Sequence, residues 1–102
     1  MHPLIEERRP ELEDLCRRFH VMRLELFGSF AKGTDQEKSD VDFLVEFADN
    51  LPPGEYANSF FGLLEALEHL FSRHVDLVVT KAIDNPYFKE SVDQSRVLLY
   101  AA

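Results

Sequence analysis

Two aspartates one residue apart, Asp40 and Asp42, open an apolar run, "DVDFLVEF". In an extended chain, residues two apart project to the same face. Two ionised carboxylates held side by side repel unless a cation lies between them. Mg2+ is the natural occupant, because it prefers carboxylate and phosphate oxygens and keeps several waters. An isolated Asp-x-Asp is short and common, and alone it describes solvated side chains or a turn cap more often than a metal site.

Two further features change that balance. Gly28-Ser29 follows an apolar run and leads into a turn or short helix, which exposes backbone N–H groups and a hydroxyl to phosphate oxygens. Gly33 allows a sharp turn, and Lys32 sets a cation beside it. The third acid, Asp76, is embedded in "HVDLVV". An aspartate amid valines is costly to bury alone, so the reading favours a strand beside the Asp40–Asp42 strand, with Asp76 joining the other two carboxylates rather than facing water at an edge. Three carboxylates around one or two metals are the apparatus of in-line phosphoryl or nucleotidyl transfer.

The elements that must position these groups follow from periodicity. "HPLIEERRPELEDLCRRF" reads as helix with a break near Pro10, and Leu12, Leu15, Cys16 and Phe19 form its buried stripe. Residues 21–27 alternate as a strand, 34–39 form a polar loop, and 41–47 form a second strand. Pro52, Pro53 and Gly54 mark a turn before a helix over 56–72, whose face is Phe60, Leu63, Leu64, Leu67, Leu70 and Phe71. A β-branched strand over 74–80, a short helix entered at Pro86 and a final strand "RVLLYA" complete the chain. The order α-β-β-α-β-α-β predicts an α/β (α+β) domain spanning residues 1–102, with one small mixed sheet flanked by helices.

The chain of 102 residues is 45% apolar, enough for a core, and its formal charge of -8 argues against general nucleic-acid binding. No stretch is long or apolar enough to span a membrane, and the N-terminus lacks a signal-peptide pattern. One cysteine, Cys16, excludes an internal disulfide and fits a cytoplasmic setting. His2, His20, His69 and His74 lack zinc-ligand spacing and read as structural or surface residues. Lys81 reads as a loop lysine, and Tyr87 and Phe88 as docking the last helix or meeting a partner.

The segment "GSFAKGTDQEKSDVDFLVEF" resembles the signature of the minimal nucleotidyltransferases (MNT), the small branch of the DNA polymerase β-like superfamily: Gly-Ser, ten residues, then Asp-x-Asp. "VDLVV" is similar to the strand carrying that family's third aspartate, here Asp76. The resemblance implies a polymerase β-like fold and metal-binding, catalytic roles for Asp40, Asp42 and Asp76. It also implies nucleotide binding by Gly28, Ser29 and Lys32, with two Mg2+ ions and ATP as substrate. It implies an antitoxin that transfers AMP to a hydroxyl, on tyrosine, of a HEPN-domain ribonuclease toxin, with which it forms a hetero-oligomer. The alternative is an antitoxin of the same fold that neutralises its partner by binding alone. Two positions depart from the family pattern. Phe30 stands where many relatives have arginine, and Lys32 replaces a second arginine, keeping the charge but losing the bidentate fork toward phosphate.

Overall fold

The computed structural model describes residues 2–102. Pro10 restarts the first helix as expected, but the break falls earlier, at Arg8. Helix α1 spans Pro3–Glu7 and α2 spans Arg9–Arg18, with a proline in the first turn of each. That turn needs no proline N–H, so proline is tolerated there and the preceding residue takes the kink. Strand β1 is Val21–Phe27, the short helix α3 is Gly28–Lys32, and β2 is Val41–Phe47. Helix α4 spans Glu55–Phe71, β3 Val75–Val79, α5 Pro86–Ser95 and β4 Val97–Ala101, with a 3-10 turn at Thr80–Ala82.

The sheet is mixed, in the order β3-β2-β1-β4. β1 pairs antiparallel with both β2 and β4, while β2 and β3 run parallel. A parallel pair needs a crossover, and α4 supplies it. Alternation along the strands divides the apolar residues between two faces. On one face Leu24, Leu26, Val41, Phe43, Val45, Val75 and Leu77 pack beneath α1, α2 and α4, which contribute Ile5, Leu12, Cys16, Leu63, Leu67 and Phe71. Cys16 is fully buried there, as its place in the stripe predicts. Gly62 lets α4 lie close on α2, since a Cβ at that position would run into the ring of Phe19.

The opposite face has a smaller cluster, Phe27, Leu44 and Val92, which α5 covers. Glu25 shares that face, yet only 3% of it is exposed. Its carboxylate accepts from Arg96 Nε at 2.8 Å and Nη2 at 2.7 Å, and from Arg23 Nε at 2.9 Å. A buried acid is tolerated because charged donors satisfy it. The ends of β1, β2 and β3 that carry Phe27, Asp42 and Asp76 meet at one edge of this same face.

Candidate active site

Asp42 faces Phe27 across the antiparallel β1–β2 ladder and Asp76 across the parallel β2–β3 ladder. Gly28, the next residue after Phe27, turns the chain into α3 with φ +73°. Its missing side chain makes room for the Asp42 carboxylate: a Cβ built on Gly28 would overlap Asp42 Oδ2. Glycine is therefore required twice, by the left-handed backbone and by the close approach.

Asp42 is half-buried, and this burial, reinforced by the charges of Asp76 and then Asp40, pushes its carboxyl up to about 6; His74 opposes the rise. Asp76 and Asp40 thus act on Asp42 through space. Their exposures differ. Asp76 is open to solvent rather than buried, which corrects the expectation from its apolar flanks. The physical reason is strand order: β3 lies at the sheet edge, so this face of it is uncovered at Asp76. Asp40 lies just before β2, half exposed, with its Oδ2 3.2 Å from His74 Nδ1. Among the described residues, no three His, Cys, Asp or Glu groups are gathered closely enough to hold a metal ion. The donors fit a hard divalent cation by chemistry, being carboxylate oxygens, and the charges of two of them raise the proton affinity of Asp42.

The loop joining the two halves of the signature is held from both ends. Gly33 ends α3 at φ +75°, and Thr34 N–H donates to the Ser29 carbonyl at 3.0 Å. Ser72 closes α4 in a left-handed turn, delivering Arg73 and His74 to the start of β2. There Arg73 Nη1 donates to the Ser39 carbonyl at 3.3 Å and Val41 N–H to the His74 carbonyl at 3.1 Å. The Arg73 guanidinium also lies 5.2 Å from the centre of the Phe30 ring, and its Nε is buried without a partner among the described residues. Phe30 itself is 2% exposed and stacks on His2 at 4.6 Å. Position 30 is thus a core position, with the Phe30 ring forming the floor of a groove. Lys32 is exposed and lines a shallow groove with His2, Phe30 and Asp35.

Sequence reasoning set His74 aside for lacking zinc spacing, yet it is the imidazole beside Asp40. It also passed over Ser95, whose Oγ accepts the Gly28 N–H at 3.1 Å. Neither was visible without knowing which turns abut, although His74 lies two residues before Asp76 and enters the same end of the sheet.

The sequence profile of the nucleotidyltransferase domain matches residues 11–99. The chain is 38% identical over 80 residues to a Methanocaldococcus jannaschii protein provisionally named as a protein adenylyltransferase, covering 78% of each chain. It is 38% identical over 71 residues to the protein adenylyltransferase MntA of Thermococcus cleftensis, covering 70% of this chain and 68% of that one. The fold is similar to that of a toxin–antitoxin crystal structure with AMP-PNP, at a TM-score of 0.70 and 24% identity over 92% of this chain and 73% of the other.

Proposed function

The chain belongs to the nucleotidyltransferase domain family, and from that premise we propose that it is an antitoxin that transfers AMP from ATP to a tyrosine hydroxyl of a HEPN-domain toxin. The carrying observation is the pairing of Asp42 with Asp76 on one sheet face, with Gly28 packed against the Asp42 carboxylate. The AMP-PNP complex of a protein of the same fold supports ATP as the donor, and the name of the MntA relative supports a protein acceptor. We place the reaction in the cytoplasm and assign it to residues 1–102 acting as one minimal domain. Among the described residues no helix is long and apolar enough to cross a membrane.

Asp40 and Asp42 would hold Mg2+, and Asp76 would complete a second metal position. When bound, the ions supply charge neutralisation on the phosphates and acidify the attacking hydroxyl. Asp40 must exchange its His74 contact for that role, and Asp42 must give up its proton. The acceptor oxygen attacks the α-phosphorus, the bond to pyrophosphate breaks, and Asp76 takes the hydroxyl proton. Asp76 is suited to this because it stands in water, open to an incoming protein. Ser29 and the turn it begins would bind the leaving pyrophosphate, with Lys32 neutralising charge.

Intact-mass spectrometry tests the reading. The protein is mixed with its helical partner, ATP and Mg2+. The partner should gain AMP, and an Asp40→Ala, Asp42→Ala double variant should abolish the gain. If that variant adds no AMP yet still neutralises the partner in cells, neutralisation is by binding. If the wild-type protein adds no AMP, the transfer reading fails.

A further inference from the structure

Gly28 leaves β1 in a left-handed turn, and its N–H does not point outward. It donates to Ser95 Oγ at 3.1 Å, from the last residue of α5. Ser95 is 8% exposed, so water does not readily replace that acceptor. Its own hydroxyl proton faces the Val92 carbonyl at 3.4 Å and the Ser91 carbonyl at 3.5 Å. A hydroxyl carries one proton and two lone pairs, so with the proton committed to the helix a lone pair is left for Gly28.

Ser95 is itself held in place. The next residue, Arg96, donates its N–H to the Val92 carbonyl at 2.9 Å and its side chain twice to Glu25. Glu25 lies in β1, three positions before Gly28, which follows that strand. The corner between α5 and β4 is therefore tied to the end of β1 at two points, a charged one at Glu25 and a neutral one at Gly28. The charged tie fixes the corner, and the neutral tie fixes the plane of the peptide from which Ser29 follows.

We propose that Ser95 is a positioning residue for nucleotide binding, holding the Gly28 peptide so that Gly28 stays against Asp42 and Ser29 faces the phosphates. The role of Gly28 is thereby defined: its N–H is spent inward, and it serves the nucleotide through its shape. This inference rests on the nucleotidyl-transfer reading. Without Ser95 the Gly28 peptide is free to rotate, and the Asp42 carboxylate and the serine turn lose their common support.

The test uses the full chain. Amide hydrogen exchange by NMR reads the bond in the free protein, and titration with AMP-PNP and Mg2+ reads its consequence. In Ser95→Ala the Gly28 amide should exchange at least about tenfold faster, with Leu24 and Leu26 unchanged, and AMP-PNP affinity should fall about tenfold, the loss of one buried hydrogen bond. Val92→Ala is the packing control: it should lower Tm and leave AMP-PNP affinity within about twofold. Ser95→Thr and Ser95→Val have the same shape and differ in the hydroxyl, so they decide the matter if the alanine variant folds poorly. Threonine should bind AMP-PNP about tenfold more tightly than valine. Equal affinity of Ser95→Ala and wild type, equal affinity of the threonine and valine variants, or an equal loss in Val92→Ala overturns the role of Ser95 and leaves the transfer reading standing. Failure of the wild-type protein to bind AMP-PNP overturns both.

Discussion

Asp42 and Asp76 stand opposite one another in the parallel β2–β3 ladder, two acids from distant parts of the chain on one face of the sheet. The arrangement works against folding in the absence of a cation. Asp42 is half-buried, has Asp76 and Asp40 as like-charged neighbours, and holds its proton up to about pH 6. A divalent cation between the carboxylates would remove that penalty, which is the physical ground for the metal-binding role proposed for Asp42.

Replacing Asp42 with asparagine should therefore stabilise the metal-free protein while abolishing transfer. The folded-state pKa of about 6 lies above the ordinary 3.8, so ionisation penalises the folded state. Below pH 3.8 both states are protonated and the penalty is nil. It grows as pH rises toward 6 and is constant above that. Asp42→Asn should thus match wild type in urea unfolding at about pH 3 and exceed it at pH 7 by about 1 kcal/mol, a figure discounted for the half-exposed position.

Gly28→Ala should cost both stability and activity. The left-handed backbone costs about 1 kcal/mol in alanine. The added Cβ also displaces Asp42, so transfer should fall at least about a hundredfold. Gly33→Ala is the comparison, because it has a similar φ of +75° and nothing within 4 Å of the added atom. It should show the loss of stability and little loss of rate, as read by thermal melts and initial rates.

The Glu25–Arg96 pair should show the opposite pH dependence from Asp42. Hydrogen bonds from Arg96, then Arg23, hold the Glu25 carboxyl below its usual range, against the effect of burial. Its contribution is present above the unfolded value of 4.5 and is lost as pH falls through the lower folded value. Arg96→Met leaves a nearly buried carboxylate with Arg23 alone and should destabilise by about 3 kcal/mol at pH 7. The gap from wild type, measured by urea unfolding, should narrow below pH 4.5. Adding Glu25→Gln should recover most of the loss at neutral pH.

Much of this was legible in the sequence because it depends on local rules. The apolar patterns of "VMRLELF" and "VDFLVEF" predict strands with the observed limits, and Gly-Ser with Asp-x-Asp at fixed spacing singles out residues that the fold brings to one end of the sheet. What depended on distant pairings was not legible. Glu25 looks like a solvated strand residue until Arg96, 71 positions away, closes over it. Asp76 looks buried until the strand order places β3 at an edge. Ser95 carries no local signal for Gly28, since the bond depends on how α5 crosses the sheet.

Phe30 and Lys32 are the two departures from the signature that the sequence resembles, and the structure separates them. Phe30 is sealed between the His2 ring and the Arg73 guanidinium, whereas Lys32 stands in solvent. Phe30→Arg would put a second guanidinium beside Arg73, where the nearby Asp35 carboxylate is already paired with His2. Removing the aromatic ring and burying an unpaired charge should cost about 3 kcal/mol or more. In a domain of this size that lowers Tm by more than about 10 °C. Nucleotide affinity should not rise, because a side chain packed as Phe30 is, between His2 and Arg73, is not presented to a ligand. Lys32→Arg meets no such obstacle. It restores the bidentate fork at an exposed position, so Tm should stay within about 2 °C and AMP-PNP should bind more tightly. Thermal melts and AMP-PNP titrations of the two single variants separate the cases. A Phe30→Arg protein as stable as wild type, with a gain in affinity, would show that position 30 faces the nucleotide after all.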